Sequence, residues 1–298
     1  MTSRLDATTA QLRAAGCVFA EEEAALLISA AGFTTDDAPS HDAPSHDAPS
    51  HDAPAPGAHP RPSPDAALQA LVARRVAGEP LEHVLGWVEF AGRRWTVTPG
   101  VFVPRQRSEL LVECALGAVR PATSAVVVDL CCGSGTLGGA VAAALLDDGA
   151  DVELHAADLD RTAVACAETN VAPLGGEVHL GDLYAALPTS LRGRVGLLLC
   201  HAPYVPTAAL AFLPPEAREH EPLTALDGGP DGLEVLRRVI WEATAWLAPG
   251  GTLLFELGDD RQLATARALL SREGLPATTV EIPETGARVV IATAPPTR

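Results

Sequence analysis

From Ala125 to Thr293 the chain alternates short apolar runs with longer helical patterns, and this alternation constrains the fold more than any other feature. The runs are AVVVDL (125–130), VELHAAD (152–158), EVHL (177–180), VGLLLC (195–200), TLLFEL (252–257), TTVEI (278–282) and ARVVIAT (287–293); helical patterns fall over 136–147, 160–170, 231–247 and 260–273. Strands separated by helices pair in parallel through crossovers, which predicts a doubly wound, Rossmann-like α/β sheet of seven strands, mostly parallel, with helices on both faces. Only residues 283–286 join the last two runs, too few for a crossover helix, so the sheet should finish in an antiparallel C-terminal hairpin.

The region before it reads differently. Residues 4–31 carry two helical patterns separated by Gly16 and closed by Gly32, and a third begins at Ser63-Pro64-Asp65 and ends before Gly78. Between them the repeat DAPSHDAPSHDAPSHDAP (37–54) is too small and polar to bury a core, so 36–62 is expected as a disordered insert. Its His41, His46 and His51 recur with the repeat and could hold a metal only weakly. Trp87–Phe90 and Trp95–Thr98 flank Ala91–Arg94 as a hairpin. The expected domains are a small helical N-terminal domain over 1–80, a β-hairpin linker over 81–106 and the α/β domain over 107–298.

Composition removes several functions. All 21 basic residues are arginine, and without lysine there is no P-loop, protein-kinase or Schiff-base chemistry. A net charge of -17 opposes a phosphate-tracking surface, so no direct nucleic-acid partner is expected. The six cysteines form no CxxC pair and read as reduced, buried thiols rather than a disulfide or zinc site, and no metal ligand set is assigned. No apolar stretch approaches a membrane span and the N-terminus has no signal-peptide core, which leads to the expectation of a cytoplasmic protein.

Chemistry should gather beyond the carboxyl ends of the parallel strands. The first strand runs into Asp129-Leu130-Cys131-Cys132-Gly133-Ser134-Gly135, and Gly133, Gly135 and Gly138 satisfy GxGxxG between a strand and a helix. The second strand ends at Asp158, an acceptor for both hydroxyls of a ribose. A nicotinamide dinucleotide and S-adenosylmethionine (AdoMet) both fit this much. Asp129 favours AdoMet, because a carboxylate there would repel a pyrophosphate but attract an α-ammonium, directly or through water; a helix-capping role is the alternative. Asp182 could accept from an adenine amino group and Leu183 cover the ring. The fourth strand runs into His201-Ala202-Pro203-Tyr204.

These residues resemble a known family, the protein-(glutamine N5) methyltransferases of the HemK/PrmC type. GEPLEHVLGWVEFAGRRWTVTPGVFVPRQRSELLVE (78–113), VVDLCCGSG (127–135), AADLD (156–160), GDLY (181–184), HAPY (201–204), EPLTALDGGPDGLEVLRRVI (221–240) and LAPGGTLLFELG (247–258) are similar to its motifs in order. The resemblance implies a class I AdoMet-dependent methyltransferase fold and methylation of a protein glutamine amide, on a substrate such as a peptide-chain release factor or a ribosome-associated protein. It places the cofactor at Asp129, Cys131, Cys132, Gly133, Ser134, Gly135, Asp158, Asp182 and Leu183, and the acceptor at His201, Ala202, Pro203 and Tyr204. In the family the acceptor loop is Asn-Pro-Pro-Tyr, whose Asn side chain and following carbonyl accept the two amide hydrogens. His201 replaces that Asn and Ala202 the first Pro, while Gln106-Arg107-Ser108 stand where Pro-Glu-Thr is usual, with Glu109 the matching acid. A neutral imidazole offers one acceptor nitrogen, so His201 can serve as amide acceptor, as general base for another nucleophile, or as filler. Cys131 replaces a loop glycine, which is tolerable without strain if its own φ is negative. The alternatives are methylation of a nucleic-acid base amino group and a catalytically weakened AdoMet-binding homologue.

Overall fold

The structure is a computed structural model that describes residues 3–33, 63–119 and 123–296; the expected insert over 36–62 lies outside the described residues. Its contacts separate two units, Met1–Leu85 and Gly86–Arg298. In the first, Ser3 and Asp6 form a reciprocal cap that starts α1 (Arg4–Ala14), α2 spans Ala20–Ala30, and Ser63 caps α3 (Pro64–Val76), with α4 (Leu81–Leu85) closing the unit. Leu12, Leu27, Leu68 and Val72 make its core, and the half-buried pair Arg75–Glu23 (2.7 Å) ties α3 to α2.

The second unit begins with the hairpin β1 (Trp87–Phe90) and β2 (Arg93–Thr96). Its turn is Ala91-Gly92 alone, shorter than the four residues expected, because both adopt positive φ (49° and 71°) and form the two-residue turn whose twist matches paired strands. Val88, Phe90 and Trp95 are buried in the same core as the helices on one face of the sheet. Trp95 lies so close over Gly139 that a Cβ there would come within 2.6 Å of the ring. The hairpin thus packs as part of the second unit. A short 3-10 turn (Gln106–Ser108) leads into α5 (Glu109–Val119), a helix the sequence reading left unassigned.

Seven strands follow: β3 (Ser124–Leu130), β4 (Asp151–Asp158), β5 (Glu177–Leu180), β6 (Val195–Cys200), β7 (Leu247–Glu256), β8 (Ala277–Ile282) and β9 (Ala287–Thr293). Their order is β5-β4-β3-β6-β7-β9-β8, with β5 to β7 parallel and β9 antiparallel to both neighbours, as expected. Among the helices, α6 (Thr136–Asp147), α7 (Arg161–Val171), α10 (Glu234–Trp246) and α11 (Asp260–Arg272) match the sequence patterns to within a few residues. Two short helices, α8 (Pro215–His220) and α9 (Leu223–Leu226), lie between β6 and α10. The central strands β3 and β6 are apolar on both sides, as a sheet covered on both faces requires. From β3 the order runs to β4 on one side and β6 on the other, which opens a crevice beyond its carboxyl end.

Candidate active site

A cavity of ≈ 570 Å³ fills that crevice, within the size range of small-molecule and cofactor sites. Cys131, Cys132, Gly133, Ser134, Asp158 and Leu183 line one part of it; His201, Ala202, Pro203 and Tyr204 line another. Of the residues expected to hold a cofactor, all but Asp129 and Gly135 thus share one space with the four expected to hold an acceptor.

In the glycine loop, the condition for an unstrained cysteine is not met. Cys131 sits at φ +56°, not at negative φ, so the cysteine takes the left-handed conformation that a glycine would supply and carries about 1–2 kcal/mol of backbone strain. Behind the loop, Asp129 is fully buried and does not line the cavity. One oxygen, Oδ2, accepts from the Gly138 amide at 2.8 Å, and a Cβ on Gly138 would stand 2.7 Å from that of Asp129, so the third glycine of GxGxxG serves this acid. The other, Oδ1, has no partner among the described residues. Burial pushes Asp129 up to about 7; the Gly138 amide opposes this and the nearby Asp158 charge adds to it. Asp129 therefore supports the loop from beneath. At the cavity wall, Asp158 accepts from the amides of Gly133 (2.9 Å) and Asp160 (2.9 Å), which fixes its carboxylate and leaves further lone pairs. Asp182 pairs with Arg238 at 2.7 Å, and Leu183 is held at φ +49° against the cavity.

On the acceptor side, the His201 ring meets Phe102 edge-on (centroids 5.4 Å apart) and lies 5.7 Å from the Tyr204 ring. Its side chain is 8% exposed. Burial lowers its pKa, Glu256 opposes this, and Arg107 and Arg105 lower it further, so the imidazole is neutral at pH 7. The Nε2 atom lies 3.8 Å from Glu256 Oε2, beyond hydrogen-bond reach but favourable to a proton on that nitrogen; Nδ1 then remains the acceptor. Glu256, at the end of β7, is 2% exposed; it accepts from Ser108 Oγ (2.6 Å), Arg107 Nε (2.9 Å) and the Tyr204 hydroxyl (3.2 Å). Burial would raise Glu256, but His201, Ser108 and Arg107 outweigh it and hold it below the ordinary carboxylate value. Arg107 also donates to the Tyr204 hydroxyl, whose pKa burial and Glu256 push up to about 12.

The segment 221–240 holds this loop in place. Val205 donates to the Leu226 carbonyl (3.0 Å) and accepts from Gly228 (2.9 Å), while Thr207 donates to Gly229 (2.9 Å). A Cβ on Gly232 would collide with the Tyr204 carbonyl and the Gln262 amide. Gln262 donates to the Tyr204 carbonyl at 2.8 Å and accepts from Gly258 at 2.9 Å, so the loop is clamped from α11 as well. Glu221 binds Arg105 (2.6 Å) and the Val103 amide (3.2 Å).

Sequence reasoning did not single out Glu256, Arg107 and Ser108 as one cluster, nor Phe102 and Gln262. A signal for Glu256 was present: an acid ends the otherwise apolar run TLLFEL, and the pairing of Cys200 with Phe255 sets His201 beside it. The other partners lie far away in the chain and carry no spacing pattern.

Comparison with known proteins agrees with this geometry. The family model Methyltransferase small domain matches residues 95–204. A release factor glutamine methyltransferase of Geobacter sulfurreducens is 40% identical over 211 residues, covering 70% of this chain and 71% of the relative. A 4-amino-L-phenylalanine/4-methylamino-L-phenylalanine methyltransferase of Streptomyces pristinaespiralis is 36% identical, covering 68% and 69%. Among solved structures, the hMettl16 catalytic domain in complex with an RNA hairpin is 19% identical with a TM-score of 0.50, covering 65% of this chain and 73% of that one, a likeness of fold.

Proposed function

Because this chain belongs to the release factor glutamine methyltransferase family, and so to the AdoMet-dependent N-methyltransferases, we propose that its own substrate is a peptide-chain release factor, methylated on a glutamine side-chain amide. The observation that carries the reading is the HAPY loop facing the glycine loop across one cavity.

The residues fit AdoMet. The loop Cys131–Gly135 lies ahead of the α6 N-terminus, Asp158 keeps lone pairs for ribose hydroxyls, Leu183 offers an apolar cover, and the orphaned Asp129 Oδ1 is an acceptor that an ammonium could satisfy through a water. When bound, the cofactor supplies a methyl group on a positively charged sulfur. The work left to the protein is orientation, because an amide nitrogen is a weak nucleophile whose lone pair must be aimed. His201 accepts one amide hydrogen and the Ala202 carbonyl the other, while Pro203 and Tyr204 confine the flat group. As transfer makes the remaining N–H acidic, the neutral His201 nitrogen is the atom placed to take the proton.

The test is methyl transfer from labelled AdoMet to purified release factor, with mass spectrometry of the product. A one-methyl increase on a glutamine is expected, with His201→Asn at least as active and His201→Leu slower by about 10²-fold in kcat at unchanged AdoMet affinity. Failure to label any protein, with AdoMet bound, overturns the substrate assignment.

A second reading is favoured by the aromatic wall of Phe102, His201 and Tyr204 together with the relative that methylates 4-amino-L-phenylalanine. An arylamine nitrogen is also flat and neutral. Labelling of 4-amino-L-phenylalanine but not of release factor would replace the first reading with this one.

A further inference from the structure

Away from the cavity, the edge of the sheet gathers three side chains whose donor atoms converge. His155 on β4 pairs in register with Glu177 on β5, and His179 stands two residues further along the same edge strand. Residues two apart on a strand share a face, so Glu177 and His179 project on one side, as do Glu153 and His155. His155 Nδ1 and His179 Nε2 are 3.0 Å apart, and Glu177 Oε2 lies 3.9 Å from each. Among the described residues, those two imidazoles are the only side-chain nitrogens within 4.0 Å of the Glu177 carboxylate.

We propose that His155, Glu177 and His179 form a site for a divalent transition metal of the zinc class, with a fourth position left to water. Zinc bonds of about 2.0–2.2 Å arranged tetrahedrally set donor atoms about 3.3–3.5 Å apart, so the observed triangle needs adjustments of roughly half an ångström. Two imidazoles and one carboxylate are ligands that zinc accepts. The far nitrogen of His155, Nε2, faces Glu153 Oε1 at 3.4 Å, and Glu153 is anchored by Arg194 at 2.6 Å. A metal-binding imidazole commonly gives its other N–H to a carboxylate, which fixes the tautomer and turns the bare nitrogen to the ion. If His155 holds its proton on Nε2 toward Glu153, His179 Nε2–H donates to His155 Nδ1 in the absence of metal, and binding requires the His179 proton to move to its own Nδ1. The side chain of His155 is 7% exposed and that of Glu177 67%, which leaves the ion a route in from solvent. A metal here would pin the edge strand to β4, three residues before Asp158 and Asp182.

Calorimetry with zinc chloride tests this on the full chain carrying alanine at 41, 46 and 51, so that the repeat contributes no imidazole. One zinc per chain, a rise in melting temperature with zinc, and the visible bands of tetrahedral cobalt when Co²⁺ replaces it are expected. Glu153→Gln should weaken binding by about tenfold or more. Glu177→Ala, at an exposed position, should abolish the melting-temperature rise, and His179→Ala the binding. No binding by the parent chain, or binding that survives both Glu177→Ala and His179→Ala, overturns the proposal and leaves the cluster as an imidazole–imidazole hydrogen bond.

Discussion

An imidazole packed between Phe102 and Tyr204 resists protonation because an added charge there would lose its water, and this sets how the acceptor responds to pH. With its pKa below 6.5, His201 is free to accept a hydrogen bond throughout the neutral range and loses that capacity as pH falls through the lowered value. The kcat profile should be flat above pH 6.5 and fall on the acid side, and His201→Asn should remove that acid limb. Stability follows the same sign: below pH 6.5 the unfolded chain binds this proton more readily than the folded one, so stability present at neutral pH is lost on acidification. Asp129 works the other way. Raised to about 7 from 3.8, it contributes stability that is present below pH 3.8 and lost as pH rises through 7. Asp129→Asn keeps an acceptor for Gly138 and should stabilise the fold above pH 7 by up to about 4 kcal/mol, while weakening AdoMet binding; urea unfolding and calorimetry measure the two effects. The position of Asp129 at the end of its strand was legible from the pattern, whereas its full burial behind the loop was not, because a pattern carries no depth.

At the scale of elements, the clamp on the HAPY loop separates acceptor positioning from cofactor binding. Gly232→Ala forces the Tyr204 carbonyl to move and adds a side chain at φ +76°, yet it touches nothing in the glycine loop. It should lower kcat by about 10²-fold with AdoMet affinity unchanged; equal losses in both would show that the two halves of the cavity are not independent. The long helices were legible from runs of helix-forming residues, with an apolar stripe in α10 and α11 and an apolar run in α6, whose observed ends match the pattern. The segment from Thr207 to Leu226 was not, since its short turns and helices are held by hydrogen bonds to Gly229 and Val205 and by no periodic pattern. The EPLTALDGGPDGL motif was recognised by likeness alone; its physical reason, glycines that let two loops meet, appears only in the folded chain.

Over the whole molecule, Asn170 ties the hairpin into the second unit. Its side chain accepts from the Thr96 amide (2.9 Å) and donates to the carbonyls of Thr96 (2.9 Å) and Ser134 (2.8 Å), which joins the hairpin to the cofactor loop. A chain starting at Gly86 should therefore fold and bind AdoMet, whereas one starting at Arg107 loses Phe90 and Trp95 from the core and should fail to give a cooperative melt; circular dichroism distinguishes them. The sheet topology and the edge on which the site lies were legible, since strand alternation dictates both. The electrostatic character of the cavity was not, because its three arginine–carboxylate pairs, Arg105–Glu221, Arg107–Glu256 and Arg238–Asp182, join residues more than fifty positions apart. The pairs Arg105–Glu221 and Arg107–Glu256 leave the side around His201 nearly silent to a visitor's charge, while Asp158 and Asp160 keep the glycine-loop side acidic. A guest must then be chosen by flatness and by the N–H groups it can give: an amide or an aniline passes, whereas a protonated amine arrives with no electron pair to offer.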